Sequence, residues 1–194
     1  MDHAHAPPSA GLERHVVLVA PEIHWNTGNI GRTCLGAGAR LHLIRPLGFS
    51  LESRQVKRAG LDYWSRVSPG IWDSFDAFGE ALDPMDGEMA LFSKGGDRVF
   101  WEMPARRRMF LVFGSETGGL PEAILSRYPR ACYRIPTTGE IRSLNLSTAA
   151  GIALYESIRI GKQDVKRGCV VDERHLLFPE FSCKIRLTAS ISLK

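Results

Sequence analysis

Short runs of consecutive apolar residues, each closed by glycine or proline and followed by a stretch of helical character, recur along most of this chain. His15 to Ala20 (HVVLVA), Arg40 to Ile44 (RLHLI), Met89 to Phe92, Met109 to Phe113 (MFLVF) and Ala131 to Ile135 read as strands. Runs that are apolar throughout, rather than alternating with polar residues, belong to strands covered on both faces. Between them the pattern predicts a turn at Asn26-Thr27-Gly28-Asn29 and helices over Ile30 to Ala37, Leu51 to Ala59 and Trp72 to Leu82. A further helix is opened by Pro121, and a long one runs from Leu144 to Ile160. Such β-α alternation argues for an α/β fold, a mostly parallel sheet with helices on both faces. Ligands of such sheets sit at the carboxyl ends of the strands.

With 194 residues, 44% of them hydrophobic, the chain can bury one sizeable core. One domain is expected over residues 13–161, with a flexible N-terminal tail at 1–12 and a C-terminal tail of unassigned role at 162–194, where periodicity is lost. No apolar run is long enough to cross a bilayer, so a soluble, cytoplasmic protein is expected. The four cysteines are scattered, which points to neither a zinc ribbon nor a disulfide framework. His3 and His5 on the expected tail form a weak metal patch, and no metal site is assigned.

A formal charge of +4 is compatible with a polyanionic partner without requiring one. Its distribution is more informative. Arg54, Lys57, Arg58 and Arg66 gather around Tyr63 and Trp64, and Arg106-Arg107-Arg108 make a second cluster. Composition alone reads these as a solvated helix face and a charged turn.

Three segments combine glycine-bearing loops with polar side chains at strand ends. The first, Pro21 to Thr33, carries Asn26 and Arg32 at the start of a helix, where the arginine's fixed fork of donors can hold phosphate or ribose. An ordinary helix start followed by a surface arginine gives the same pattern. The second, Gly114 to Pro121, contains Glu116 among glycines that let backbone approach a ligand closely. It lacks the Gly-Lys-Ser/Thr ending of a phosphate-binding loop. The third joins Ile135-Pro136 to Arg142-Ser143-Leu144-Asn145-Leu146-Ser147, where polar groups alternate with leucines as a loop becomes a helix. These groups suit either a ligand or an N-cap.

In their order and spacing, N-T-G-N-I-x-R-T, F-G-x-E-T-x-G-L-P and I-P…R-S-x-N-L-S resemble motifs 1, 2 and 3 of the SpoU/TrmH-like branch of the SPOUT methyltransferases, over roughly residues 15 to 160. Within that branch, the compact length, the P-E-I-x-x-N-T-G-N-I start and Arg58-Ala59-Gly60-Leu61-Asp62-Tyr63 are most similar to the enzymes that methylate the ribose of the tRNA wobble nucleotide, a cytidine or modified uridine. The resemblance implies a C-terminal trefoil knot, a homodimer with its active site at the subunit interface, and S-adenosylmethionine as methyl donor, released as S-adenosylhomocysteine. It implies a cofactor cradle made by the backbone around Leu91, Gly114, Ile135 and Leu144, with Ser143 and Asn145, and Asn26, Arg32, Glu116, Asn145 and Ser147 on the reacting side. Arg32 is the family's proposed proton acceptor, a role at odds with a guanidinium that stays protonated. Orienting ribose and phosphate is the alternative. The resemblance also turns Arg54, Lys57, Arg58 and Tyr63 into expected tRNA contacts, with Tyr63 or Trp64 stacking on an unpaired base. Loop Thr137-Thr138-Gly139-Glu140-Ile141 departs from the family's usual apolar, proline-bearing version.

Two other readings compete: methylation of a different tRNA or ribosomal RNA ribose, and a non-catalytic RNA-binding module on the same fold. A nicotinamide-dependent dehydrogenase is set aside, because no strand-to-helix turn carries G-x-G-x-x-G.

Overall fold

The structure, a computed structural model, describes residues 6–51 and 63–167. The expected helix at Leu51 to Ala59 lies almost entirely outside the described residues, as do Arg54, Lys57, Arg58, His3 and His5. Strands β1 (Glu13–Val19), β2 (Arg40–Ile44), β3 (Gly70–Trp72), β4 (Met89–Phe92), β5 (Arg98–Val99), β6 (Arg108–Phe113) and β7 (Cys132–Arg134) form one sheet, ordered β3-β2-β1-β6-β4-β7-β5. Every pairing among them is parallel, in keeping with the apolar runs of the central strands β1, β4 and β6. Helices α1 (His24–Ala37), α2 (Trp64–Val67), α3 (Phe75–Leu82), α4 (Glu122–Leu125) and α5 (Leu146–Arg167) cover the two faces.

Side chains alternate between two cores. Val16, Leu18, Leu43 and Leu111 face Ile30 and Cys34 of α1 and Ala153, Leu154 and Ile158 of α5. Val17, Val19, Phe110 and Val112 face Phe75 and Phe78 of α3 and Ile124 of α4. Leu91 belongs to the second core and Phe92 to the first, since consecutive strand residues point to opposite faces.

Several boundaries differ from expectation for identifiable reasons. Asn26 to Asn29, expected as a turn, are helical within α1. Further along the helix, Gly31 admits a neighbour: a Cβ there would lie 2.8 Å from the Trp64 ring, while the Tyr63 hydroxyl reaches the Gly28 carbonyl at 3.5 Å. Tertiary packing thus outweighs turn propensity. Trp72 is in a strand, and α3 starts at Phe75 behind the Ser74 hydroxyl, which accepts from the Ala77 amide. Pro121 is the N-cap of the one-turn α4 and does not occupy its first helical position. Helix α5 begins at Leu146 and continues past Gly161 to Arg167. From Pro7 on, the expected N-terminal tail packs against the end of α1: Ser9 is buried, and its hydroxyl donates to the Gly38 carbonyl.

Several buried polar side chains hydrogen-bond within the fold outside the strand-end loops. Arg14, 1% exposed, donates to the carbonyls of Glu13, Arg106, Arg107 and Ser157, tying β1 to α5. Arg108 is buried against Glu88, so the Arg106–Arg108 cluster is not a continuous basic surface. Between the sheet and α3, the Trp72 indole donates to His42 Nδ1 (3.1 Å), and His42 Nε2 meets His15 Nδ1 (2.8 Å). His15 Nε2 in turn meets the Glu13 carboxylate (3.1 Å). An indole only donates, so His42 carries its proton on Nε2 and His15 on Nε2, and the row is satisfied with both rings neutral. Burial accordingly pulls the His15 pKa down to about 4 and that of His42 to about 3.

Candidate active site

The loops leaving β4, β6 and β7 at their carboxyl ends, together with the start of α5, surround a cavity of about 750 Å³. That is the position and size expected of a ligand site in a parallel sheet. Its walls come from Phe92, Ser93 and Lys94 after β4, Phe113 to Leu120 after β6, Arg134 to Thr137 after β7, and Arg142 to Leu146 with Ala149. Ile23 and Asn26 of the first segment complete it.

The loop after β6 is closed on itself. Ser115 and Gly119 exchange backbone hydrogen bonds (3.2 and 2.9 Å), and the Ser115 hydroxyl accepts from the Gly118 amide at 3.0 Å. Gly119 sits at φ +71, and a Cβ on Gly114 would fall 1.9 Å from the Gly119 carbonyl carbon. Glycine is therefore required at both positions, by conformation at one and by space at the other.

One row of side chains joins all three segments. The Glu116 carboxylate accepts from the Glu22 amide (2.8 Å), the Ile23 amide (3.3 Å) and Asn26 Nδ2 (2.9 Å). Helix α1 has no acidic residue in its first turn and no side-chain cap of its own, so Glu116 supplies a negative charge to its positive end from another element. Asn26 Oδ1 then accepts from Asn145 Nδ2 at 2.9 Å. Asn145 Oδ1 accepts from the Ser147 amide and hydroxyl (2.8 and 2.7 Å) and, at 3.4 Å, from the Thr148 amide, which makes Asn145 the N-cap of α5. For Asn145, where the sequence allowed either a cap or a ligand group, the side chain caps α5 at the edge of the cavity, and Glu116 plays the corresponding part for α1. Each still lines the cavity.

Of the expected cofactor residues, Gly114, Ile135, Ser143, Leu144 and Asn145 line the cavity. Leu91 itself is absent from the lining, its side chain fully buried in the second core; the stretch expected around it reaches the cavity one residue on, at Phe92, Ser93 and Lys94. Asn26 and Glu116 line the cavity, while Ser147 contributes through Asn145. Arg32 is absent from the lining. It sits on the exposed side of α1 with its guanidinium 5.7 Å from the Tyr63 ring centroid, away from its own chain's cavity. Trp64 is half-buried, packed onto Gly31 and against the core. Sequence reasoning missed Ser93, Lys94, Thr117 and Arg134. The last donates to the Gly96 and Asp97 carbonyls (2.8 Å each) and so holds the β4 loop against β7. Their signal was position alone: Ser93 and Lys94 directly follow β4, Arg134 ends β7, and Thr117 sits in the loop after β6.

The cavity has a floor of apolar side chains (Phe92, Phe113, Leu120, Ile135, Leu144, Leu146, Ala149) and a wall of hydroxyls, amides and one carboxylate. It suits a ligand with a flat heterocycle and several polar groups. Among the described residues no cluster could hold a metal ion, and no helix is long and apolar enough to cross a membrane.

Comparison with known proteins gives this geometry its context. A Listeria monocytogenes protein provisionally named a tRNA (cytidine(34)-2′-O)-methyltransferase is 48% identical over 151 residues, 76% of this chain and 88% of that one. A solved structure described as giving structural insights into the 2-OH methylation of C/U34 on tRNA superposes with a TM-score of 0.73 at 46% identity, covering 79% of this chain and 99% of that one. An AdoMet-bound rRNA methyltransferase from Sinorhizobium meliloti matches with a TM-score of 0.62 at 26% identity, over 81% of this chain and 62% of its own. The sequence model of the SpoU rRNA Methylase family matches residues 13–155, the span that contains all three loops and the sheet beneath them, and the chain belongs to that family.

Proposed function

We propose that this protein methylates the ribose 2′-hydroxyl of the tRNA wobble nucleotide, position 34, using S-adenosylmethionine and releasing S-adenosylhomocysteine. The observation that carries the proposal is the hydrogen-bonded row Glu116–Asn26–Asn145–Ser147, which binds three separated motifs into one wall of a cavity about 750 Å³ in volume. The relatives named for position 34 direct it to that nucleotide.

The cavity's chemistry fits the cofactor. Gly114, Ile135 and Leu144 offer backbone and apolar surface for an adenine, while Ser93, Thr117, Ser143 and Asn145 offer partners for ribose and amino-acid groups. When bound, S-adenosylmethionine supplies the methyl group. The chain's residues hold the two reactants together, and orientation alone is worth on the order of several kcal/mol of barrier. Lys94, Arg134 and Arg142 on the cavity wall give the approaching phosphates a positive field.

Arg32 belongs to the same reading through a dimer. Helices α1 and α5 pack together, and they leave Ile23, Trp25, Ile152 and Tyr155 exposed (42%, 55%, 38% and 49%). Uncovered apolar side chains on adjacent helices suit a self-complementary twofold interface. In that homodimer Arg32 of one protomer serves the partner's cavity, where it orients ribose and phosphate as a permanent cation. We infer that the segments leaving β6 and β7 form the family's trefoil knot. The enzyme acts in the cytoplasm, where its tRNA is.

The test is to incubate the protein with methyl-labelled S-adenosylmethionine and bulk tRNA, then map the modified ribose. Label at nucleotide 34 is expected. Label at another tRNA nucleotide, or in ribosomal RNA alone, would overturn the assignment of target.

A further inference from the structure

Glu22 lies outside the cavity lining, yet it is bonded twice to the loop that forms the cavity wall. Its amide donates to the Glu116 carboxylate at 2.8 Å, and its own carboxylate accepts from the Thr117 hydroxyl at 2.7 and 2.9 Å. Residues 22 and 116–117 therefore close a reciprocal ring between the first and second motifs, main chain to side chain in one direction and side chain to side chain in the other. Thr117 faces the cavity.

The main chain that presents Glu22 is fixed from two sides. Ala20, directly after β1, holds φ +50, a left-handed conformation that costs a non-glycine residue on the order of 1 kcal/mol and persists where the surroundings impose it. Gly48 donates its amide to the Pro21 carbonyl (2.9 Å), and a Cβ on Gly48 would stand 2.7 Å from Glu22 Cα. The turn out of β1 is thus wedged between the 48 loop and the 116–117 loop, with the Glu22 carboxylate directed at Thr117.

We propose that Glu22 is a positioning residue: through Thr117 it latches the cofactor-facing loop Gly114–Leu120 in its binding conformation before ligand arrives. The latch rests on the assignment of S-adenosylmethionine to this cavity. It adds a residue that touches neither ligand nor reacting atoms. Preorganisation of this kind lowers the ordering that binding must otherwise impose on the loop. A hydroxyl–carboxylate bond near solvent is charge-assisted and two-centred here, enough to change affinity while the surrounding sheet stays folded.

Calorimetric titration of S-adenosylhomocysteine into the wild type, Glu22→Ala, Thr117→Val and the double variant tests it, with thermal melting of each ligand-free protein alongside. Glu22→Ala is expected to weaken binding roughly tenfold with little change in melting temperature. Thr117→Val should weaken binding at least as much, since it also removes a hydroxyl that faces the ligand, and the double variant should be no weaker than Thr117→Val alone, because the latch is already lost there. Glu22→Gln and Thr117→Ser keep an acceptor and a donor and should restore most of the affinity. Additive losses in the double variant, or unchanged affinity in Glu22→Ala, would overturn the latch. A wild type that gives no heat removes the cofactor assignment itself and the latch with it, so the two failures are told apart.

Discussion

Asn145 has two functions that can be separated by substitution. Its Oδ1 caps α5 and its Nδ2 holds Asn26, so Asn145→Ala is expected to cost about 1 to 2 kcal/mol of stability, read by urea unfolding. Asn145→Asp keeps the cap acceptor and loses the donor to Asn26. It should therefore keep most of the stability while weakening cofactor binding. If both variants lose stability equally, the cap is not what Asn145 contributes. Arg32 shows the limit of reading at this scale: its residue type and motif were legible in the sequence, but its place on the far side of α1 from the cavity was not. Glu116 lines the cavity, as its motif implied, but the bonds its carboxylate makes to the amides at the start of α1 had no signal in the sequence.

The histidine row between the sheet and α3 makes the stability of these elements depend on pH. Both folded-state pKa values lie below the ordinary 6.5, at about 4 for His15 and about 3 for His42, so the unfolded chain takes up protons first as pH falls. The contribution is complete above pH 6.5 and is lost progressively as pH drops toward about 4 and then about 3. Urea unfolding between pH 7 and 4 should lose on the order of a few kcal/mol. In His42→Gln the side-chain amide can still accept from Trp72 and donate to His15, and the decline should be shallower. An identical slope in the variant would count against the row as its source.

Helix α5 offers a second check. Gly161 lies inside it, where alanine would ordinarily gain about 1 kcal/mol of helix propensity. A Cβ there would stand 2.3 Å from an Arg14 guanidinium nitrogen that already holds backbone carbonyls, and 2.9 Å from Leu12. The clash outweighs the propensity, and Gly161→Ala is expected to lower the melting temperature. Stabilisation would show that Arg14 can move. At this scale β1, β2, β4, β6 and β7 were legible, because each is an apolar run bounded by breakers. β3 (Gly-Ile-Trp) and β5 (Arg-Val) were not: strands of three and two residues carry no period, and they exist through the neighbour they pair with. Asn26 to Asn29 misled because their turn propensity is overridden inside α1, which Trp64 packs against at Gly31 and which Glu116 caps from another element.

For the whole molecule, the α/β class, the parallel sheet and the site at its carboxyl edge followed from strand composition and from three motifs in order. How one protomer meets another did not, since an exposed Trp25 or Tyr155 is meaningful only beside the helix it shares a face with. The proposed dimer makes a strict prediction. Arg32→Ala and a cavity-filling Ala149→Phe should each be inactive alone. Mixed and re-equilibrated, they should recover about a quarter of the sites if Arg32 serves the partner's cavity, because half of the dimers are mixed and each has one intact site. No recovery would place Arg32 in its own protomer's reaction or outside it altogether. Beneath all of this lies the claim that three motif loops form one cofactor cavity, and calorimetric titration of the wild-type protein with S-adenosylmethionine tests it most directly. Saturable heat with one ligand per chain, abolished by Gly114→Ala in a protein that still melts cooperatively, is the predicted result; no heat, or binding indifferent to Gly114, would contradict it.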